Sequence, residues 1–149
     1  MKVLLLLLVL FAAGCATVSF PPVDLKQPGW TVRQGEAVWR RQRGGEGIAG
    51  DLLVATRTNG RAFVQFSKAS FPLVIAQCSP EAWTVDFPPQ NKHYSGRSAP
   101  PQRIIFLQLP RLLSRLPLPK NWSWQKQSDG GWRLENRATG ESLDVYFNP

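Results

Sequence analysis

Acid, histidine and cysteine are the scarce residues of this 149-residue chain. Eighteen Lys and Arg stand against ten Asp and Glu, giving a formal net charge of +8. Between Asp86 and Asp129 there is no acid at all, only bases. His93 is the one histidine, which excludes a metal site built from several imidazoles. There is no Gly-x-Ser-x-Gly turn, no phosphate-binding glycine loop and no paired-cysteine motif. A membrane-crossing run is also missing: about 20 apolar residues are needed, and the run at residues 3–13 falls short. These absences point away from an enzyme, and neither cofactor nor metal is expected. His93 beside Tyr94 reads as a surface residue in a Gly-bounded turn. A Cys78–His93 nucleophile pair is conceivable, but no motif supports its geometry.

The amino terminus carries a signal of another kind. Lys2, the apolar run and the small residues Ala12, Ala13 and Gly14 form the three parts of a secretory signal. Ala12-Ala13-Gly14-Cys15 resembles the lipobox of bacterial lipoproteins, with Ala12 where leucine is usual. The resemblance implies cleavage before Cys15, a diacylglycerol on its sulfur and acylation of the new amine. Several chains anchor stably where one does not, at about 0.8 kcal/mol per buried CH₂. The coincidence of charge, run length, small residues and cysteine favours this reading over an ordinary signal peptide or a short core element. Ala16 stands where such families carry an aspartate for inner-membrane retention, so the expected site is the outer membrane, facing the periplasm. Cys78 is then left without a partner. No disulfide is expected even in an oxidising compartment, and Cys78 reads as a small buried hydrophobe.

Residues 15–29, with three prolines and a glycine, read as the lipidated cysteine and an extended tether. Residues 30–149 are of single-domain size. Residues 32–42 fit either a short helix or a first strand. From residue 48 the pattern is β. Ile48, Leu52 and Val54 share a phase, and Asn59-Gly60 predicts a type I′ hairpin turn. Ala62, Val64 and Phe66 alternate next. Pro72 opens a further strand or marks an edge, and Trp83, Val85 and Phe87 alternate after it. Four such strands make an antiparallel meander.

The middle changes character. Ser98 is a cap candidate, and Ile105, Leu109, Leu112, Leu113 and Leu116 recur at helical spacing. Pro110 inside that pattern predicts two short helices or one kinked one, with Arg103, Arg111 and Arg115 on the opposite, basic face. Trp122, Trp124, Trp132, Leu134, Leu143 and Val145 then alternate through three closing strands. The sum is about seven strands and one helical insertion. It is a mainly β (α+β) fold: a single antiparallel sheet that curls around a short, proline-broken apolar helix.

The order of elements resembles the LolA/LolB-like lipoprotein-localisation family. The stretches that carry the likeness are "GIAGDLLVATRTNGRAFVQFSK" (47–68), "HYSG" (93–96), "LLSRLPLP" (112–119) and "GGWRLENRATGESLDVYF" (130–147). The resemblance implies a half-open barrel formed by the single curved antiparallel sheet, its concave face closed by a helical lid over an apolar cavity for the acyl chains of lipoproteins. A periplasmic carrier would hand over the lipoprotein cargo, for insertion into the outer membrane. The chain departs from the family in being shorter, with a compressed region around residues 71–87. The family carries an exposed apolar residue on a protruding loop, and Phe71 is the candidate for it, against an ordinary strand-start core residue.

Trp83, Trp124 and Trp132 are candidates for a cavity wall, though such residues more often fill a core. Ile105, Leu109, Leu112 and Leu116 face whatever the sheet encloses: they are a lid if that space is open, core if it is full. The alternative is a structural or complex-forming envelope lipoprotein. In that case the core is filled, and the basic face docks on a partner or on anionic lipid. A monomer is expected, without a nucleic-acid partner.

Overall fold

The computed structural model describes residues 17–149. The expected signal segment 1–14 and Cys15 lie outside the described residues. Nine strands follow in chain order: β1 (Thr31–Arg40), β2 (Gly47–Thr56), β3 (Ala62–Lys68), β4 (Phe71–Cys78), β5 (Ala82–Phe87), β6 (Lys92–Arg97), β7 (Trp122–Lys126), β8 (Trp132–Asn136) and β9 (Ser142–Phe147). They form one antiparallel sheet, not closed, in the order β6-β5-β4-β3-β2-β1-β9-β8-β7. The expected mainly β fold with one curved sheet is therefore present, with nine strands rather than about seven. Residues 32–42 resolve to a strand because only Gly35, Ala37 and Trp39 of β1 turn inward. β6 covers "HYSG", and residues 93–96 are a sheet edge, not a turn.

The turns differ from expectation in an instructive way. At Asn59-Gly60 only Gly60 has positive φ, at 82°. Its N–H donates to the Arg57 carbonyl (3.1 Å), and the Arg57 N–H donates to the Arg61 carbonyl (2.8 Å). This is a three-residue loop closed by a left-handed glycine, not a type I′ turn. Two consecutive positive φ values occur one hairpin later, between Lys68 and Phe71, at Ala69 (49°) and Ser70 (67°). Pro72 sits beside the β3/β4 register shift and beyond the residues that β5 pairs, where a missing N–H breaks no ladder. The sheet is bent through β2: a Cβ on Gly50 would collide with the Ser67 carbonyl oxygen.

Between β6 and β7 the chain runs from one free edge of the sheet to the other. It leaves β6 next to the β4/β5 turn and reaches β7 at the far end of the strands, beside Asn136. Residues 98–121 thus cross the concave face diagonally. They contain a 3-10 turn (Ile105–Leu107) and a five-residue helix α1 (Leu109–Leu113). Ser98 caps no helix; its φ is 70°. Pro110 lies in the first turn of α1, where its absent N–H has no partner to lose. The core gathers on the concave side, from Leu52, Val54, Val64, Phe66, Val74 and Val85 across to Leu134, Leu143 and Val145.

On the convex side Asp144 ties β1 to β8. It accepts from Arg133 Nε (2.6 Å) and Nη2 (2.9 Å), and from Arg40. Burial pushes its carboxyl up, but the two arginines outweigh that and hold it below the usual range.

Candidate functional site: the covered concave face

The residues expected to face the enclosed space mostly do so, and among the described residues the segment packs directly onto the sheet. Ile105 and Leu109 are buried, and so are Phe106, Leu107 and Gln108 between them. A 3-10 turn followed at once by a helical turn points successive side chains into the sheet, so the segment is buried on all sides. At its centre Phe106 stacks on Phe66 (5.7 Å between centroids) and meets Trp39 edge-on (5.1 Å). Gln108 braces the cover, its Nε2 donating to the carbonyls of Pro101 and Ile104, both at 3.2 Å. Trp122 Nε1 donates to the Gln102 carbonyl at 2.6 Å. Phe106, Leu107, Gln108 and Trp39 are not among the residues singled out by periodicity. The signal for Phe106 and Leu107 is the unbroken apolar run "IIFL", which fits an all-round buried segment better than one helical face; no such signal marks Gln108 or Trp39.

Leu116 corrects the helical expectation. It is 53% exposed, because the helix stops before it. Arg115 takes a left-handed conformation, φ 56°. The Arg115 N–H donates to the Leu112 carbonyl and the Leu116 N–H to the Arg111 carbonyl, at 3.0 and 2.8 Å. That is a Schellman cap, with an arginine where glycine is usual. Leu116 lies past the cap, off the face that holds Leu109 and the half-buried Leu112. Arg103 and Arg115 are exposed, but they do not share one helix face with Arg111, which folds back to donate to the Pro117 carbonyl (2.9 Å).

Trp83, Trp124 and Trp132 are all half-buried and in phase with the concave side, and Trp83 and Trp124 pack against the core. Trp124 and Trp132 stack face to face near one edge, with centroids 5.1 Å and planes 7° apart. Phe71 is 75% exposed at the Ala69-Ser70 turn. That turn is at the opposite end of β3 from the tether, which docks beside Arg57 and Arg61. The tether residues 17–29 form no helix or strand. Cys78 faces the core, and burial pushes its thiol up to about 11 despite nearby Arg111. His93 pairs with Asp86 across β5/β6, their side chains 2.6 Å apart. Register puts that pair on the convex face, so Cys78 and His93 form no pair.

Among the described residues, a cavity opens at each end of the concave face. One, about 320 Å³, lies between Trp39, Arg41, Phe87, Lys92, Tyr94 and Glu141. Burial holds the Glu141 carboxyl above its usual range although Trp39 Nε1 donates to it at 2.9 Å. The other, about 260 Å³, lies at the tether end and is walled in part by Leu107, Cys78 and Leu116. No group of three or more potential metal ligands gathers among the described residues, and no helix there is long and apolar enough to cross a membrane. No protein-family model matches the chain, and no curated protein matches it.

Proposed function

We propose that the protein is a LolB-like lipoprotein, anchored through acylated Cys15 in the outer membrane and facing the periplasm. It receives acyl chains of lipoprotein cargo from a periplasmic carrier beneath its lid and passes them to the outer membrane. One observation carries this reading. Among the described residues the apolar concave face is covered only by residues 98–121, a segment with no strand partner and a single five-residue helix. Its hold is mainly the burial of Ile105, Phe106, Leu107 and Leu109. At about 1.5–3 kcal/mol per side chain, that burial is on the order of 10 kcal/mol. An acyl chain of about a dozen methylenes buries a similar amount at about 0.8 kcal/mol each. Exchange of lid for chain is therefore close to balanced, as a transfer protein requires. Phe71 serves in this reading as the membrane-insertion tip, and the exposed bases favour an anionic surface nearby.

A second reading, a structural lipoprotein with a permanently filled core, draws on the Phe106 stack against Phe66 and Trp39. The two separate on one experiment. The full chain, held in a non-ionic detergent, is titrated with 1-N-phenylnaphthylamine and then with a palmitoylated peptide. Saturable probe fluorescence that the acylated peptide reverses, and its unacylated form does not, is the expected result. A chain that takes up no probe sinks the acyl-chain reading and leaves the filled core.

A further inference from the structure

The 260 Å³ cavity at the tether end is lined by three arginines, Arg57, Arg61 and Arg111, and by no acidic residue. None of the three takes part in an ion pair among the described residues. Their hydrogen bonds go to neutral acceptors only. Arg57 Nη2 reaches Gln27 Oε1 and the Pro28 carbonyl, Arg61 Nη2 the Pro21 carbonyl, and Arg111 the Pro117 carbonyl. Arg57 Nε and Arg61 Nε are buried and make no hydrogen bond among the described residues; the two guanidiniums lie over the Trp30 ring, at 4.5 and 5.8 Å from its centroid. Three cations therefore share this wall without a counter-charge. A planar anion supplies that charge, since a guanidinium matches a carboxylate or phosphate in two parallel hydrogen bonds. The rest of the wall is neutral, with Leu107, Leu116 and Cys78 beside the hydroxyl residues Thr56, Ser79 and Ser114. The exposed side chain of Leu116, unexplained by the lid, belongs to this wall.

We propose that this cavity binds a small anionic amphiphile, a phosphate or carboxylate head against the arginines with the first few carbons of its tail along Leu107 and Leu116. At 260 Å³ the cavity is too small to hold a whole acyl chain. The head is either a phospholipid phosphate or a fatty-acid carboxylate. The site is separate from the space beneath Phe106, but Leu107, Pro110, Arg111, Ser114 and Leu116 of the lid wall it, so it exists while the lid is closed.

Calorimetric titration of the full chain in a non-ionic detergent tests it. The ligands are hexyl phosphate, hexanoate, hexan-1-ol and inorganic phosphate. A charged amphiphile is expected to bind saturably, at least about tenfold tighter than the alcohol or the bare ion, as one charge-assisted contact implies. Preference for hexyl phosphate names the phospholipid head, and preference for hexanoate the fatty acid. Arg111→Gln should weaken binding by about tenfold. Ser114→Trp, on the exposed rim, should block it while leaving the lid, the far-UV circular dichroism and the urea midpoint unchanged. No saturable binding of either anion by the native chain overturns the proposal. So does binding that Arg111→Gln and Ser114→Trp both leave intact. Because Ser114→Trp spares the lid, its effect is distinguishable from a failure of acyl-peptide binding.

Discussion

Ala69 and Ser70 hold adjacent left-handed conformations at the tip that presents Phe71. Each L-residue placed there costs about 1–2 kcal/mol. Such a cost at an exposed apolar tip is where function and stability pull apart. Ser70→Gly removes the steric part at one position, offset by about 0.4–1 kcal/mol for the freer unfolded chain. The expected net gain is on the order of 0.5–1 kcal/mol. It reads as a higher urea midpoint with an unchanged slope; a lower midpoint would mean the turn is not strained at Ser70. Sequence reasoning placed the special turn at Asn59-Gly60, since that dipeptide is the strongest local signal. The actual choice depends on register, because Lys68 faces Phe71 across two residues while Arg57 and Arg61 flank three. Arg57 and Arg61 were likewise invisible as site residues: they flank a turn, and only the docking of the tether and lid around them makes a cavity.

Among the elements, the lid decides between the two functional readings, and Phe106 decides the lid. Wedged between Phe66 and Trp39, it should behave as a core residue. Phe106→Ala is expected to cost about 3–5 kcal/mol of stability by thermal or denaturant unfolding. A loss below about 1 kcal/mol would show that the concavity is already hollow beneath it. The strand phases of β2 to β5 and β7 to β9 were legible in alternation, because one face of each is buried. β6 was not, since "KHYSGR" is polar at a sheet edge and needs no apolar face. β1 was ambiguous because its first four residues are exposed. The lid was legible as an apolar, proline-marked segment, but its 3-10 start shifts the period. Phe106 and Leu107 therefore went inward unannounced, and Leu116 came out.

For the whole molecule, the sheet is joined in the middle by its last described strand. β9 lies between β1 and β8, pairing Arg40 with Ser142 and Glu135 with Ser142. Deleting residues 138–149 should leave β1 to β6 without their bridge to β7 and β8. The expected result is loss of the single cooperative unfolding transition and of near-UV circular dichroism. Retention of both would mean that the two halves hold together through the lid alone. The same placement governs the order of assembly. Chains emerge from the ribosome amino end first, at about 5–20 residues per second. β1 therefore waits through about a hundred residues of synthesis for its second neighbour, a delay of several seconds. Throughout that interval the two sub-sheets share no backbone seam. Until residues 142–147 have been delivered, the edge of β1 that β9 will cover stays unpaired.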